Sequence, residues 1–515
     1  MNIRDAKQEV IHTILAYTAK NEWGGYEIPP LRQRPLLLIG PPGIGKTAIM
    51  EQAAAACGIG FVSYTMTHHT RQSAIGLPFI EREVFDGREC AVTEYTMSEI
   101  IASVLHCIRD SGCREGLLFL DEINCVSETL APAMLQFLQN KTFGNHRLPD
   151  GWVLAAAGNP QEYNKSVREF DIATLDRLKY IEVESDYDAW RPYALERNVH
   201  GAIISYLDMH RDSFYVLEQT YTKCSFATAR GWEDLSCLLF QYERLQLPVT
   251  PDLVGQYLHV SELAHDFSGY YQLFEAHKKV LPVPAMLEGD EAAADICHKI
   301  VSESPLDEKL FLVHLMLSYL GGCLQEQASA ARQAKLQTDL LDRLQRFQKQ
   351  QRIAELSDAM SEFLKKEREV LAVRKEHGLS SEREIQEMQQ ALYALQTSFY
   401  TYQANQCEHT INQSISGEDR KLHGEIRNAV LERDRELTQS AAHLLDVTER
   451  GVALLSESDG PEFTLFLSSL FQNPLACEFF RKNPSPLCEQ YRKRLDLQTR
   501  EKELREKLLN NDRKK

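Results

Sequence analysis

The first third of the chain alternates short apolar runs with longer segments of mixed polarity. The runs are nearly continuous in hydrophobic residues, which is typical of strands buried on both faces of a parallel sheet. They lie at residues 35–39, 60–65, 116–120, 152–157 and 179–183. An Ala-rich helix is predicted from about Lys46 to Cys57, after a Gly-rich turn. This alternation predicts an α/β fold over residues 1–186, in which helices flank a doubly wound parallel sheet.

Two β-hairpins are predicted between these strands. Apolar and polar residues alternate from Phe79 to Tyr95 around the pair Asp86-Gly87, and an Asp-Gly pair within such alternation is a strong hairpin signal. A second turn is predicted at residues 144–151, just before the strand that starts at residue 152. Both hairpins are expected to project from the sheet.

The periodicity becomes helical from about residue 187. Segments 190–195, 232–242 and 252–274 repeat apolar residues at the spacing of one helix face. The strand signal fades over the same stretch. An all-α lid domain is therefore predicted over residues 187–324.

Beyond residue 324 the composition shifts toward Gln, Glu, Lys, Arg and Leu, which predicts a helical C-terminal region over residues 325–515. Apolar residues recur at three- and four-residue steps between residues 336 and 395, with an interruption at His377 and Gly378. Two long antiparallel helices with a coiled-coil packing seam explain this pattern more simply than a ligand site does. The remaining predictions are a polar helix at 417–455, an apolar patch at 463–471 and a charged, solvated tail at 491–515.

The composition is that of a soluble globular protein, with 43% hydrophobic and 25% charged residues. A length of 515 residues predicts two to four domains. Because no uninterrupted apolar run reaches 18 residues and the N-terminus is polar, a cytoplasmic protein without a membrane segment is predicted. The net charge of −17 disfavours a nucleic-acid partner and favours protein partners, although a local basic patch would escape this argument.

The twelve cysteines are scattered, without a CxxC pair or the spacing of a zinc site. They are interpreted as small buried hydrophobic residues in a reducing compartment. His68 and His69 are adjacent, but no third ligand follows at a suitable spacing, so no zinc-type metal site is predicted.

A phosphate-binding loop is predicted where the first strand meets the first helix of the sheet. The segment fits the pattern G-x-x-x-x-G-K-[ST] and consists of Gly40, Pro41, Pro42, Gly43, Ile44, Gly45, Lys46 and Thr47. Glycines allow successive backbone N–H groups to point at a phosphate, and the helix N-terminus adds partial positive charge. Lys46 is expected to reach the terminal phosphates of ATP and the Thr47 hydroxyl to bind Mg²⁺.

An acidic pair ends the third strand. Asp121 and Glu122 follow the apolar residues 117–120, about 75 positions after the loop lysine. Asp121 is expected to hold the magnesium shell, and Glu122 to orient and deprotonate the attacking water. Such a pair is weak evidence alone and strong evidence downstream of a phosphate-binding loop.

The fourth strand runs into Gly158-Asn159-Pro160. In a parallel sheet this strand would lie beside the first one, so Asn159 is a candidate to hydrogen-bond the γ-phosphate or the attacking water. The alternative is an asparagine that only caps a turn.

Five segments occur in the order found in AAA+ ATPases, which the chain resembles over about residues 10–320. They are Gly40 to Thr47, Asp121 to Asn124, Gly158 to Pro160, Leu175 to Leu178, and Ala229 to Glu233. Gly76-Leu77-Pro78 and Leu148 to Trp152 are similar to the MoxR-type branch of that family. The last 190 or so residues resemble no family that we can name.

The resemblance implies roles for three residues. Asn159 matches the family's sensor 1, and Arg230, at the start of a lid helix, matches its sensor 2. Arg177 matches the arginine finger that a neighbouring subunit inserts into the site, with Leu178 in place of the usual Phe as an apolar anchor. The alternative for Arg177 is a surface ion pair with Asp176 or Asp171.

The function implied by the resemblance is a hexameric ring ATPase that remodels or activates a protein partner. In the MoxR branch that partner is commonly a protein with a von Willebrand factor A domain. The two hairpins would then grip the client, with His146 and Arg147 as candidate contacts, although an exposed polar turn is equally ordinary.

Two alternatives remain. One is a motor or restriction-type subunit that acts on nucleic acid, since related AAA+ branches translocate DNA and some use GTP. The guanine-reading pattern N-K-x-D is absent at Asn164-Lys165-Ser166-Val167, which disfavours GTP only modestly. The other is a helical scaffold whose nucleotide site only sets assembly, and the presence of Glu122, Asn159 and Arg177 ranks it lowest.

Overall fold

The computed structural model describes residues 1–68, 72, 74, 76–85, 88–143, 146–163, 167, 168, 170–219, 224–351, 356–376, 379–407, 418–456 and 460–495. The chain divides into two compact units. One contains residues 1–186 and 357–390, and the other contains residues 187–356 and 391–515.

The strands are β1 (Leu36–Ile39), β2 (Gly60–Thr65), β3 (Pro78–Phe85), β4 (Arg88–Tyr95), β5 (Gly116–Asp121), β6 (Thr142–Phe143), β7 (His146–Arg147), β8 (Trp152–Gly158), β9 (Lys179–Glu182), β10 (Val216–Gln219) and β11 (Cys224–Ala227). Five of them form a parallel sheet in the order β2-β5-β8-β1-β9. The predicted α/β sheet is thereby confirmed, and so is the predicted position of β8 beside β1.

The helices are α1 (Ile3–Thr18), α2 (Lys46–Cys57), α3 (Glu99–Ser111), α4 (Ala131–Asn140), α5 (Ile172–Leu175), α6 (Tyr187–Glu196), α7 (Gly201–Met209), α8 (Ala229–Leu245), α9 (Pro251–Gly255), α10 (Ser261–Val280), α11 (Val283–Glu288), α12 (Glu291–Glu303), α13 (Leu306–Gln351), α14 (Leu356–Glu376), α15 (Glu382–Cys407), α16 (Glu418–Ser456), α17 (Pro461–Gln472) and α18 (Pro474–Lys482). Residues 486–495 are also helical. The helical C-terminal region is thereby confirmed.

The interior strands β5 and β8 have apolar side chains that are almost completely buried, which explains their continuous hydrophobic sequence. Trp152 begins β8 opposite Gly116. A Cβ atom at Gly116 would lie 2.6 Å from the Trp152 indole, and one at Gly60 would lie 3.3 Å from it. Gly116 is therefore required to accommodate the ring, and a side chain at Gly60 would crowd it.

Both predicted hairpins are present as antiparallel pairs. Strand β3 pairs with β4 along its whole length, and β6 pairs with β7. The predicted turn residues Asp86 and Gly87 lie outside the described residues, as do residues 144 and 145. The sequence did not predict a third hairpin, β10 with β11, inside the region read as helical. Strands of four residues are too short to establish a period.

The second unit has a core of its own, built around the buried rings of Trp232, Phe267 and Phe466. The predicted apolar patch at 463–471 is the helix α17, whose Phe466 is fully buried. The predicted boundary at residue 324 falls inside the continuous helix α13, whose buried Leu324 belongs to the same core. The division into a lid and a separate C-terminal domain stays a prediction, as does the antiparallel packing of the long helices. Among the described helices, none has the length and apolar content that a membrane span requires.

Candidate functional site

The phosphate-binding loop connects β1 to the N-terminus of α2. Gly43 and Gly45 have φ angles of 74° and 95°, in the left-handed region that favours glycine. A Cβ atom at Gly40 would lie 2.4 Å from the carbonyl oxygen of Val183, so side chains larger than hydrogen do not fit there. The loop can therefore bring its backbone N–H groups and the end of α2 against an anion.

Lys46 is buried, and its hydrogen bonds connect the loop to the residue that follows β8. Its Nζ donates hydrogen bonds of 2.8 Å to the carbonyl oxygens of Gly40 and Pro41, and one of 2.9 Å to Asn159 Oδ1. Asn159 follows Gly158, which is level with Ile39 at the end of β1. The structure therefore brings Asn159 to the predicted lysine. Contact of either residue with nucleotide stays a prediction.

Thr47 lies against the acidic pair. Its Oγ1 donates a 2.6 Å hydrogen bond to Asp121 Oδ2, at the end of β5. A hydroxyl oxygen and a carboxylate oxygen at this separation suit Mg²⁺, which uses one or two protein ligands and completes its shell with water and phosphate oxygens. The described residues hold no group of three or more His, Cys, Asp and Glu side chains that could form a metal cage. His69 lies outside them.

Glu122 has a backbone conformation that is uncommon for a residue with a side chain. Its φ is 55°, and its N–H donates a 2.9 Å hydrogen bond to Asp121 Oδ1. Non-glycine residues held in the left-handed region cost about 1–3 kcal/mol and cluster at functional sites. Thr67 Oγ1 donates a 2.9 Å hydrogen bond to Glu122 Oε2.

Thr67 is a residue that the sequence analysis missed. It lies two positions after β2, whose last residue, Thr65, is level with Asp121 on β5. Once β2 is placed beside β5, a polar side chain just beyond β2 is expected near the acidic pair. The order of these two strands was the missing information.

Arg177 lies at the opposite end of the sheet from the phosphate-binding loop. It precedes β9, whose first residue, Lys179, is level with Leu36, the first residue of β1. At ~3.3 Å per residue, the four-residue strand β1 separates these ends by about 10 Å. The loop follows the far end of β1, so the strand register places Arg177 and its own loop lysine at opposite ends of the sheet.

The exposed Arg177 guanidinium donates a 2.7 Å hydrogen bond from its Nη1 atom to Gln139 Oε1 on α4. Asp171, one of the two predicted alternative partners, caps α5 by accepting a hydrogen bond from the Thr174 N–H. A hydrogen bond with the Thr174 side chain is the largest cause that lowers the pKa of Asp171, this backbone bond is the next, and the charge of Arg177 contributes less. Leu178 is buried, as expected of an apolar anchor.

Arg230 is the second residue of α8, in the second compact unit, and its side chain is exposed. Thr228 caps this helix by accepting a hydrogen bond from the Gly231 N–H. The sensor role of Arg230 stays a prediction.

Comparisons with known proteins agree with this geometry. Residues 35–178 match the family described as AAA domain (dynein-related subfamily). The chain is 25% identical over 250 residues to Lon protease 1 of Hydrogenovibrio crunogenus, covering 44% of this chain and 28% of that protein. It is 25% identical over 209 residues to the peroxisomal Lon protease homolog 2 of Spinacia oleracea, covering 38% and 22%. The chain thus spans about a quarter of the length of these relatives.

Among solved structures, the PCH-2 protein of C. elegans is similar at 16% identity, with a TM-score of 0.23 and coverage of 42% of this chain and 50% of that one. The family match includes the phosphate-binding loop, the acidic pair, Asn159 and Arg177. The phosphate-binding loop between β1 and α2 therefore lies within a segment that is similar to an AAA domain.

Proposed function

We propose that the chain hydrolyses Mg-ATP and uses hydrolysis to remodel or activate a protein partner. The observation that supports this most is the pair of hydrogen bonds from Lys46 to Asn159 and from Thr47 to Asp121. The three motifs lie far apart in the sequence, and these bonds join them where strands β1, β5 and β8 end. Phosphoryl transfer to water requires such an arrangement.

Each side chain at the carboxyl ends of these strands has a distinct role in the proposed reaction. Lys46 binds the terminal phosphates, and Asn159 hydrogen-bonds the γ-phosphate or the attacking water. Thr47 and Asp121 hold the magnesium ion, which when bound neutralises charge that develops on the phosphate oxygens. Glu122 orients the water and takes its proton.

The proposed active form is a ring of copies, which we take to be hexameric. Arg177 lies at the opposite end of the sheet from Lys46. Its match to the family's arginine finger supports the proposal that it completes the site of a neighbouring copy. A guanidinium placed at a transferring phosphoryl group stabilises the developing charge without changing its own protonation. Arg230 would contact the γ-phosphate from the lid.

A protein is the proposed client. The net charge of −17 opposes binding to nucleic acid. The matched relatives bear the name protease, and a protease acts on protein. Hairpin β3–β4 exposes Ile80 and Val84, whose side chains are 76% and 67% accessible, and these offer apolar contacts to a partner. Membership of the MoxR-type branch, a von Willebrand factor A partner and a cytoplasmic location belong to the same proposal.

The Glu122→Gln variant tests the proposal, because it should bind ATP without hydrolysing it and so retain its client. Glu22→Gln, an exposed glutamate in the same unit, is the matched control. Complexes would be isolated in ATP, with and without nuclease treatment in parallel samples, and then eluted with ADP. A protein that is held in ATP and released in ADP supports the proposal. A nucleic acid held in the same way, or ATP turnover by Glu122→Gln at the wild-type rate, contradicts it.

A further inference from the structure

Asn124 lies two positions after Glu122 and is only 5% exposed. It belongs to the 3-10 turn Ile123–Cys125, which faces the end of β8. A buried carboxamide must find partners for both its oxygen and its nitrogen, since an unsatisfied polar group is costly. Both atoms bond to the backbone of one residue, Asn159, and Oδ1 also accepts a 3.9 Å contact from Cys125 Sγ.

The Asn124 side chain pairs with this backbone in both directions. Its Nδ2 donates a 2.7 Å hydrogen bond to the Asn159 carbonyl oxygen, and its Oδ1 accepts a 3.3 Å hydrogen bond from the Asn159 N–H. The carboxamide therefore substitutes for the peptide group of a neighbouring strand. It fixes both ends of the residue whose side chain receives the Lys46 hydrogen bond.

Gly158 shows how close this contact is. A Cβ atom at Gly158 would lie 2.5 Å from Asn124 Oδ1 and 2.7 Å from its Cγ. Gly158 is not among the glycines with positive φ, so the backbone conformation alone would admit other residues. The three nearest atoms to such a Cβ all belong to Asn124, which is therefore what restricts the position to glycine.

The turn that holds Asn124 is itself fixed from a second direction. The Asn124 carbonyl oxygen accepts a 2.9 Å hydrogen bond from the Arg168 N–H. The Arg168 guanidinium makes a 2.6 Å ion pair with Glu128. Asn124 is thus held by its main chain while its side chain holds Asn159.

We propose that Asn124 is a positioning residue of the ATPase site, which orients Asn159 toward the γ-phosphate through its backbone. The inference rests on the proposed hydrolysis of Mg-ATP at this site. Asn124 does not touch the nucleotide, so its loss should reduce the rate of the chemical step and leave nucleotide affinity intact. An error of about 1 Å in a catalytic group costs up to ~100-fold in rate.

The test compares Asn124→Ala, Gly158→Ala and the double variant with wild type, and uses the exposed Asn140→Ala as the matched control. The measurements are kcat and KM for ATP, the Kd of a fluorescent ATP analogue with Mg²⁺, and the thermal unfolding midpoint. Asn124→Ala should lower kcat by about tenfold or more, with Kd within threefold of wild type. Gly158→Ala should lower kcat in the wild-type background and have little further effect in the Asn124→Ala background, where the colliding atoms are gone.

The Asn124→Asp variant provides a second measurement in case the alanine variant does not fold. Its carboxyl group has the same shape, and it can donate to the Asn159 carbonyl oxygen only when protonated. Its turnover relative to wild type should therefore rise as the pH is lowered from 8 to 6, whereas the ratio for Asn140→Asp should stay flat.

Specific results would overturn the role of Asn124 alone. Each of these requires that the wild-type chain turns over ATP normally. They are an unchanged kcat in Asn124→Ala, a loss of ATP affinity equal to the loss of kcat, additive effects of the two alanine substitutions on kcat, or a turnover ratio for Asn124→Asp that does not change with pH. Absence of turnover in the wild-type chain would overturn the proposed function and this role together.

Discussion

Lys46 and Asn159 are joined by a 2.9 Å hydrogen bond although they lie 113 positions apart in the sequence. The bond exists because β8 pairs directly with β1, so the segments that follow the two strands emerge side by side. Strand order thus brings together the lysine proposed to bind phosphate and the amide proposed to hydrogen-bond the γ-phosphate. The sheet determines the site.

The two residues are expected to affect different kinetic constants. Lys46→Ala removes a cation from the phosphate site and should weaken binding of a fluorescent ATP analogue by tenfold or more, about 1.4 kcal/mol. Asn159→Ala should leave that affinity within threefold and lower kcat by ~10–100-fold, because its proposed contact forms with the reacting groups. Titrations and steady-state kinetics check both, with Asn140→Ala as the control. Equal losses of kcat and affinity in Asn159→Ala would contradict the separation of roles.

Arg177→Ala should lower the rate of ATP turnover by about 1,000-fold and leave ATP binding intact. Because the proposed finger acts on a neighbouring copy, turnover per chain of the wild type should rise steeply with protein concentration. Mixing Arg177→Ala with Glu122→Gln should restore part of the activity, since an intact Glu122 in one chain can meet an intact Arg177 in the other. Arg32→Ala, an exposed arginine in the same unit, is the control. A mixture as inactive as its components would exclude action in trans.

Thr67→Val should lower kcat by about tenfold without changing ATP affinity. The hydroxyl donates to Glu122 Oε2, and valine has the same shape but leaves that carboxylate oxygen without its donor. Thr67→Ser keeps the donor and should retain most of the turnover. The idea fails if valine and serine have the same kcat.

Lys141→Met should stabilise the fold at pH 7. Lys141 follows α4 and is buried, and burial lowers its pKa to about 8, with a smaller contribution from the charge of Arg147. A lysine whose pKa is lower in the folded state destabilises the fold fully below pH 8, and this penalty disappears as the pH rises toward the unfolded value of 10.5. The expected gain at pH 7 is about 3 kcal/mol, from a lowering of the pKa from 10.5 to about 8.

The measurement is the difference in unfolding midpoint between Lys141→Met and wild type from pH 7 to pH 10. This difference should shrink with increasing pH. Lys20→Met is the contrasting variant, because Lys20 pairs with Glu115 and its pKa is raised. A constant difference for Lys141→Met across the range would show that burial does not disfavour the charged lysine.

The sequence predicts those parts of the site whose signal is local. The continuous apolar runs predict the strands, and the glycines with Lys46 and Thr47 predict the phosphate-binding loop, because backbone conformation and ligand chemistry require these residue types at that spacing. The neighbouring position of Asn159 follows from the rule that ligands bind at the carboxyl ends of parallel strands.

The roles of Thr67 and Asn124 are not readable in this way. Thr67 hydrogen-bonds to Glu122, 55 positions away in the sequence, and Asn124 hydrogen-bonds to Asn159, 35 positions away. Both do so through polar side chains of common types. Their significance depends on which strands are neighbours and on how closely the chain passes Gly158. The left-handed conformation of Glu122 is likewise imposed by the surrounding fold, since no local pattern favours it at glutamate.

The location of Arg177 at the far end of the sheet has a consequence for stoichiometry. Under the proposed arrangement each copy contributes half a site at either end, so an open row of n copies contains n − 1 complete sites. Closing the row adds the last site without adding a chain. Activity per chain should therefore increase when the ring closes. A variant chain that can bind a neighbour at only one of its two ends should keep the row open and so remove one active site per assembly.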